Sequence, residues 1–237
     1  MHRSYIKYKK MRKFFLIGSS SYLLQTFEKL LVKESFKVVS ISRKKPKKII
    51  KNLAYYLTDY SENSLEEIFE KEIVRSNCQP ILIFGNVITQ SDLFIHLKNE
   101  KIEDLININI KLPIKIIKII LSKFLRLKPI FFNFSSIRTN PGIGYSLYGS
   151  SKVFMENFFK NLAMEYGNLD CIFKSISVGI SSGGLGKKLE KKTIQEYVKR
   201  SSIRKPLEPK EIFDTLIFEL DKKSSNGKVI YCDNGYF

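Results

Sequence analysis

Six short, mostly apolar runs, separated by turns and by stretches of helical spacing, constrain the fold of this chain more than any other feature. They are Lys13 to Ile17 (KFFLI), Lys37 to Ile41 (KVVSI), Pro80 to Phe84 (PILIF), Ile130 to Phe134 (IFFNF), Cys171 to Val178 (CIFKSISV) and Lys228 to Cys232 (KVIYC). Such runs suit strands buried on both faces. Between them lie helical patterns over Leu23 to Val32, Glu62 to Glu70, Leu105 to Leu127, Tyr148 to Tyr166 and Glu208 to Leu220, with Pro113 near the start of the third and Pro209 opening the last. Strand, turn, helix and strand follow one another within the first thirty or so residues after Met11, which is a βαβ unit. Strands alternating with helices predict an α/β fold with a single doubly wound parallel sheet and helices on both faces. No repeat, low-complexity linker or boundary divides the 237 residues, so residues 11–237 read as one domain. The first ten residues, MHRSYIKYKK, read as a basic N-terminal extension, either disordered or upstream of a true start at Met11, which opens directly on the first strand.

Composition removes several function classes. Three scattered cysteines, Cys78, Cys171 and Cys232, without a CxxC, argue against a disulfide framework and a cysteine zinc site, and fit a reducing, cytoplasmic setting. With only His2 and His96, neither a Ser-His-Asp triad nor a histidine metal site is expected, and no metal is assigned. The net charge of +18 attracts polyanions in general. Apart from RKKPKK at Arg43 to Lys48 the lysines are dispersed, and no recognition helix or aromatic stacking stretch accompanies them, so no specific nucleic-acid partner is expected. The isoleucine-rich stretch Asn109 to Leu127 carries Lys111, Lys115, Lys118, Lys123 and Arg126, which a membrane span would not tolerate.

The chemistry points to Phe131–Lys152. A strand-like run ends at Ser135 and Ser136, a loop with Asn140, Pro141, Gly142 and Gly144 follows, and Tyr148 and Lys152 come next at i and i+4. On a helix that spacing puts a phenol and an ammonium on one face. The cation favours phenolate, so the expectation is a tyrosine with a lowered pKa, serving as an acid/base for a carbonyl or an alcohol.

In these residues the chain resembles the short-chain dehydrogenase/reductase family. Tyr148-Gly-Ser-Ser-Lys152 is similar to that family's Tyr-x-x-x-Lys, Phe134-Ser-Ser136 to its strand-end serine, and Ile108-Asn109-Ile110 to the asparagine of its long preceding helix. Glu208-Pro-Lys-Glu-Ile212 and the tail from Asn226 to Phe237 (NGKVIYCDNGYF) match its last helix start and final strand. The resemblance covers nearly the whole chain from Met11. It implies a Rossmann-type fold and an NAD(P)-dependent oxidoreductase interconverting a carbonyl and a secondary alcohol by hydride transfer. Tyr148 would be the acid/base, Lys152 would tune it and hold the nicotinamide ribose, a serine (Ser136 preferred to Ser135) would bond the substrate oxygen, and Asn109 would support a water relay.

The cofactor residues follow from the same resemblance, with departures. The family's Gly-x-x-x-Gly-x-Gly turn is Gly18-Ser-Ser-Ser-Tyr22-Leu-Leu24 here, keeping only the first glycine. Gly18 makes the turn, Ser19 and Ser20 offer hydroxyls to phosphate, and the helix start near Leu23 offers backbone N–H groups. At the end of the second strand Ser42-Arg43 replaces the acidic residue that selects NAD, so NADP is expected in preference to NAD. Asn86 lines the cofactor, Gly179 and Ile180 meet the nicotinamide end, and Ser181 or Ser182, with Ser182 assigned, stands in for the usual threonine. The acid that contacts adenine comes late, at Asp59 in Tyr56-Leu-Thr-Asp59.

Ser181 to Pro206 is the segment that covers the substrate in that family. Gly183, Gly184 and Gly186 suit a mobile lid, and Lys187, Lys188, Lys191, Lys192, Lys199, Arg200, Arg204 and Lys205 suit an anionic substrate such as a nucleotide sugar or an acyl-carrier thioester. The partner expected is a small carbonyl or alcohol substrate. A homodimer or homotetramer is implied by resemblance, although Lys111, Lys115 and Lys118 line one face of the helix that would pack against a subunit. The alternative is a catalytically impaired nucleotide-binding or regulatory protein of the same fold, against which the retained Tyr148, Lys152 and Asn109 speak.

Overall fold

Apart from the last, at the sheet edge, each apolar run becomes a strand because both faces of the sheet are covered, leaving almost no solvated position along it. The computed structural model describes residues 11–45, 50 and 53–236. The expected N-terminal extension and the end of the basic run lie outside the described residues. The strands are β1 (Arg12–Ile17), β2 (Lys37–Ser42), β3 (Ala54–Leu57), β4 (Gln79–Phe84), β5 (Ile130–Ser136), β6 (Ile172–Val178) and β7 (Val229–Cys232). They form one sheet of order β3-β2-β1-β4-β5-β6-β7. Every pairing is parallel. The strand order reverses between β1 and β4, and in such sheets that crevice is where a ligand binds.

Side chains alternate across the sheet. Phe14, Leu16, Ile81, Ile83 and Phe132 face helix α1 (Tyr22–Lys33) and helix α7 (Pro209–Glu219), meeting Leu24, Phe27, Leu31, Ile212 and Phe213. Phe15, Ile17, Leu82, Phe84 and Phe131 face the opposite layer. That layer is α2 (Glu62–Phe69), α3 (Asn99–Ile106), α4 (Leu112–Phe124) and α5 (Ser146–Tyr166). Each such buried side chain stabilises by about 1.5–3 kcal/mol relative to exposure. The fold is the expected one: a single Rossmann-type parallel sheet between two helical layers.

Two elements differ from the sequence reading. The short strand β3 gave no long apolar run, and its residues are only partly buried at the sheet edge. The helix expected over 105–127 starts at Asn99, widens into a π-helical turn at Asn107–Lys111 and continues as α4. Pro113, in the first turn of α4, has no N–H to return to the Asn109 carbonyl, so the helix is locally unwound where Asn109 sits. Helix α6 (Lys191–Arg200) occupies the expected lid.

Candidate active site

Strand ends β4, β5 and β6 and the first turn of α5 converge at one edge of the sheet. Gly149 lets α5 come close to the turn after β5, since a Cβ there would lie 2.5 Å from the Arg138 carbonyl oxygen. Arg138 in turn lies over the Tyr145 ring at 3.9 Å. The Ser136 hydroxyl lies within reach of the Tyr148 phenol. Ser136 Oγ also accepts from the Arg138 N–H at 3.2 Å, which fixes its rotamer. Ser135 faces away, its hydroxyl donating to the Glu156 carboxylate on α5. The two serines are one residue apart on a strand and so take opposite faces. Of the two, Ser136 shares the site with Tyr148.

Lys152 is 7% exposed and donates to the Phe134 carbonyl at 2.7 Å, with its ammonium 5.7 Å from the centre of the Tyr148 ring. The electrostatics correct one expectation. Burial pushes the Tyr148 phenol above its ordinary range, opposed by the Ser136 hydrogen bond and the Arg138 charge, so its pKa is raised and not lowered. Burial likewise brings Lys152 down to about 8, with the Glu156 carboxylate pulling the other way. The low-dielectric site disfavours both charged forms, and the ammonium is committed to a backbone carbonyl.

Asn109, buried in the unwound turn, clamps the strand end after β4. Its Oδ1 accepts from the Ile88 N–H at 2.8 Å and its Nδ2 donates to the Ile88 carbonyl at 2.9 Å. Nδ2 also reaches Ser151 Oγ at 3.2 Å. The site therefore brings together Tyr148, Lys152, Ser136 and Asn109, all named from the sequence. It also contains Gln90 and Glu156, which the sequence reading missed because nothing local marks them. Only their contacts, across 21 to 58 positions, do so.

The other group of residues lies at the switch point. Gly18 has φ +81°, and a Cβ there would lie 2.7 Å from the Asn86 backbone, so the turn after β1 needs glycine. Ser21 caps α1 through the Leu24 N–H. Ser19 Oγ and Asn86 Oδ1 are buried without a partner, whereas Ser20 is exposed and Leu23 half-buried. Ser42 Oγ is spent on the Lys44 carbonyl at 2.6 Å, shaping the turn that presents Arg43. The guanidinium lies 6.0 Å from the centre of the Tyr60 ring.

At the β6 end, Gly179 sits beneath the Tyr197 hydroxyl, and its N–H donates to the Cys232 carbonyl at 3.0 Å. Ile180 is buried with its carbonyl accepting from Leu207, and the Ser182 N–H donates back to the Leu207 carbonyl at 2.8 Å.

The lost glycines have structural counterparts. Leu24 occupies the third glycine position, and Gly85 faces it on the strand side, where a Cβ would lie 2.5 Å from Leu24 Cδ1. The close helix–strand packing is kept with the glycine on the other partner. Tyr22, at the second position, lies against Gly183 and Gly184 of the lid. Gly85→Ala alone should lower Tm. Combined with Leu24→Ala it should cost less than the two single changes together, with a coupling of about 1 kcal/mol or more in a thermal double-mutant cycle. Simple additivity would contradict this packing.

A family model described as "short chain dehydrogenase" matches residues 16–194, most of the chain. The chain belongs to the short-chain dehydrogenase family. It is an oxidoreductase of that family. The 3-oxoacyl-[acyl-carrier-protein] reductase FabG of Buchnera aphidicola subsp. Acyrthosiphon pisum is 21% identical over 240 residues, covering 94% of this chain and 96% of the relative. Among solved structures, a short-chain dehydrogenase from Leptospira borgpetersenii with bound NAD+ superposes with TM-score 0.84 at 18% identity, covering 94% of this chain and 92% of that one. ElxO with NADP bound superposes with TM-score 0.83 at 20% identity, covering 95% and 98%. Among the described residues no helix is long and apolar enough to cross a membrane.

Proposed function

We propose that the protein is an NADP-preferring oxidoreductase that interconverts a carbonyl and a secondary alcohol, with Tyr148 as acid/base. The observation that carries this reading is the convergence of Tyr148, Ser136 and Lys152 in one buried corner beside the switch point. The nicotinamide ring supplies or takes up the hydride when bound. The residues present fit such a cofactor. Two buried oxygens, Ser19 Oγ and Asn86 Oδ1, lack partners, and a buried polar atom without one is costly. Beside them are the tight Gly18 turn and the first N–H groups of α1, a site suited to diphosphate.

Gly18, Ser19, Ser20 and the Leu23 N–H would hold the diphosphate, Ser42 and Arg43 the adenosine ribose, and Asn86 the adjoining wall. Tyr148 and Lys152 would hold the nicotinamide ribose, and Gly179, Ile180 and Ser182 the carboxamide. Ser136 orients the substrate oxygen, the neutral Tyr148 phenol gives it a proton during reduction, and the Lys152 ammonium favours the phenolate left behind. Asn109 keeps the strand end after β4 in place.

Arg43 supports NADP over NAD, since no acid at the end of β2 competes for the ribose and a guanidinium pairs bidentately with a 2′-phosphate. Arg43→Ala should weaken NADPH binding by about tenfold or more, leaving NADH binding nearly unchanged, as read by fluorescence titration. Equal losses for both would remove the 2′-phosphate role. Exposed Lys187, Lys191, Lys192 and Lys199 around the lid support an anionic substrate. The relative that reduces 3-oxoacyl groups on an acyl-carrier protein is consistent with that class.

A further inference from the structure

Tyr148 sits in the first turn of α5, and a residue from elsewhere in the chain holds the backbone of that turn. A helix leaves its first N–H groups without intrahelical partners. Tyr145, at the N-cap position, makes no capping bond with its side chain. Gln90, on the loop after β4 and 3% exposed, supplies the acceptor. Its Oε1 accepts from the Leu147 N–H at 2.9 Å and from the Tyr148 N–H at 3.2 Å. These second and third positions of the helix are the ones an N-cap side chain ordinarily serves. Its Nε2 donates to the Asp92 carbonyl at 2.8 Å and to Ser146 Oγ at 3.3 Å, so both ends of the amide are engaged.

The loop that carries Gln90 is itself fixed. Two residues earlier, Ile88 is clamped through its N–H and carbonyl by Asn109. Asn109 also donates to Ser151 Oγ, which donates to the Tyr148 carbonyl at 2.7 Å. The Tyr148 peptide is thus held at its N–H by Gln90 and at its carbonyl by Ser151, and Asn109 stands behind both.

We propose that Gln90 is a positioning residue for the reaction: it caps the helix of Tyr148 from outside that helix and so keeps the phenol in place against Ser136. This rests on the reading of Tyr148 as the acid/base. Truncating Gln90 leaves the Leu147 and Tyr148 N–H groups unpaired in a buried place, and the first turn opens. A small displacement of a reacting group is enough to slow a reaction severely. The charged groups around the phenol are Arg138, from the turn after β5, and Lys152 and Glu156, from α5. Gln90 adds no charge to them. Gln90→Glu keeps the Oε1 acceptor for the two N–H groups, gives up the Nε2 donation to the Asp92 carbonyl, and adds a negative charge beside that turn.

Gln90→Ala, Gln90→Glu and Tyr148→Phe are compared with the wild type using NADPH and a short β-keto ester as substrate. Hydrogen exchange of the peptide spanning the start of α5 is measured without cofactor. Gln90→Ala should lower kcat by about tenfold or more, with NADPH Kd unchanged, and speed exchange of that peptide. Gln90→Glu should restore slow exchange and part of kcat, and move the alkaline limb of the pH profile upward, because the added negative charge keeps the Lys152 ammonium protonated to higher pH. Wild-type kcat and exchange in Gln90→Ala would overturn the proposal. If Gln90→Ala does not fold, an unshifted pH profile in Gln90→Glu would overturn it. Full activity of Tyr148→Phe would sink the acid/base reading itself, whereas an inactive Tyr148→Phe beside an unaffected Gln90→Ala would sink only the positioning role.

Discussion

Tyr148→Phe should lower kcat for carbonyl reduction by about 10²–10⁴-fold, the range removed with a general acid, and weaken cofactor binding by no more than about tenfold, the loss of one hydrogen bond to the ribose. The substitution deletes one hydroxyl. The ring remains, still packed in its buried position, and the loss of the Ser136 contact costs at most about 1 kcal/mol of stability. Folding should survive and the chemistry should not. The pH dependence follows from the neighbours. Burial raises the Tyr148 phenol, so it is protonated and able to donate across the neutral range. Lys152 is depressed to about 8, so its charge is present below that pH and lost as pH rises through it. Reduction should therefore fall above about pH 8 and hold below it. A rate that climbs through pH 8 in the reductive direction would contradict this assignment.

Gly18→Ala should abolish measurable cofactor binding and lower Tm by on the order of 10 °C. Two costs add. The residue has φ +81°, where an L side chain is strained by about 1–2 kcal/mol. The new Cβ would lie 2.7 Å from both N and Cα of Asn86. Those are backbone atoms at the end of a central strand, so they cannot rotate away, and the overpacking costs about 1–3 kcal/mol more. Relief requires the turn after β1 to part from the strand end after β4, which separates the two orphaned oxygens of Ser19 and Asn86. Thermal melts and NADPH titration of the variant check both halves, and unaltered binding would show that the turn does not hold the diphosphate.

Much of this was legible in the residues because it is local. The runs KFFLI, KVVSI and PILIF are apolar on both faces, which only a doubly covered sheet accommodates. Tyr148 and Lys152 are one helical turn apart, so any helix there pairs them. Other features depend on which distant segments meet. The choice between Ser135 and Ser136 depends on strand parity and on Glu156, a turn beyond Lys152. Tyr22 and Leu24, in place of two glycines, are accommodated by Gly85, Gly183 and Gly184 facing them from other segments, which no local pattern reveals. The direction of the Tyr148 shift was misjudged because spacing reveals a neighbouring cation but not burial, and burial is the larger effect here. The break before α4 needed Pro113 to be read against the Asn109 carbonyl and not as a helix start.

We propose that the crevice between β1 and β4 binds a nicotinamide dinucleotide with a 2′-phosphate, beside the corner where Tyr148 and Lys152 meet. It is tested most directly by titrating NADPH and NADH in parallel into the intact wild-type protein and following nucleotide fluorescence. Saturable binding of both, with NADPH the tighter by about tenfold or more, is the result expected from Arg43 at the end of β2. Binding of neither nucleotide would contradict it.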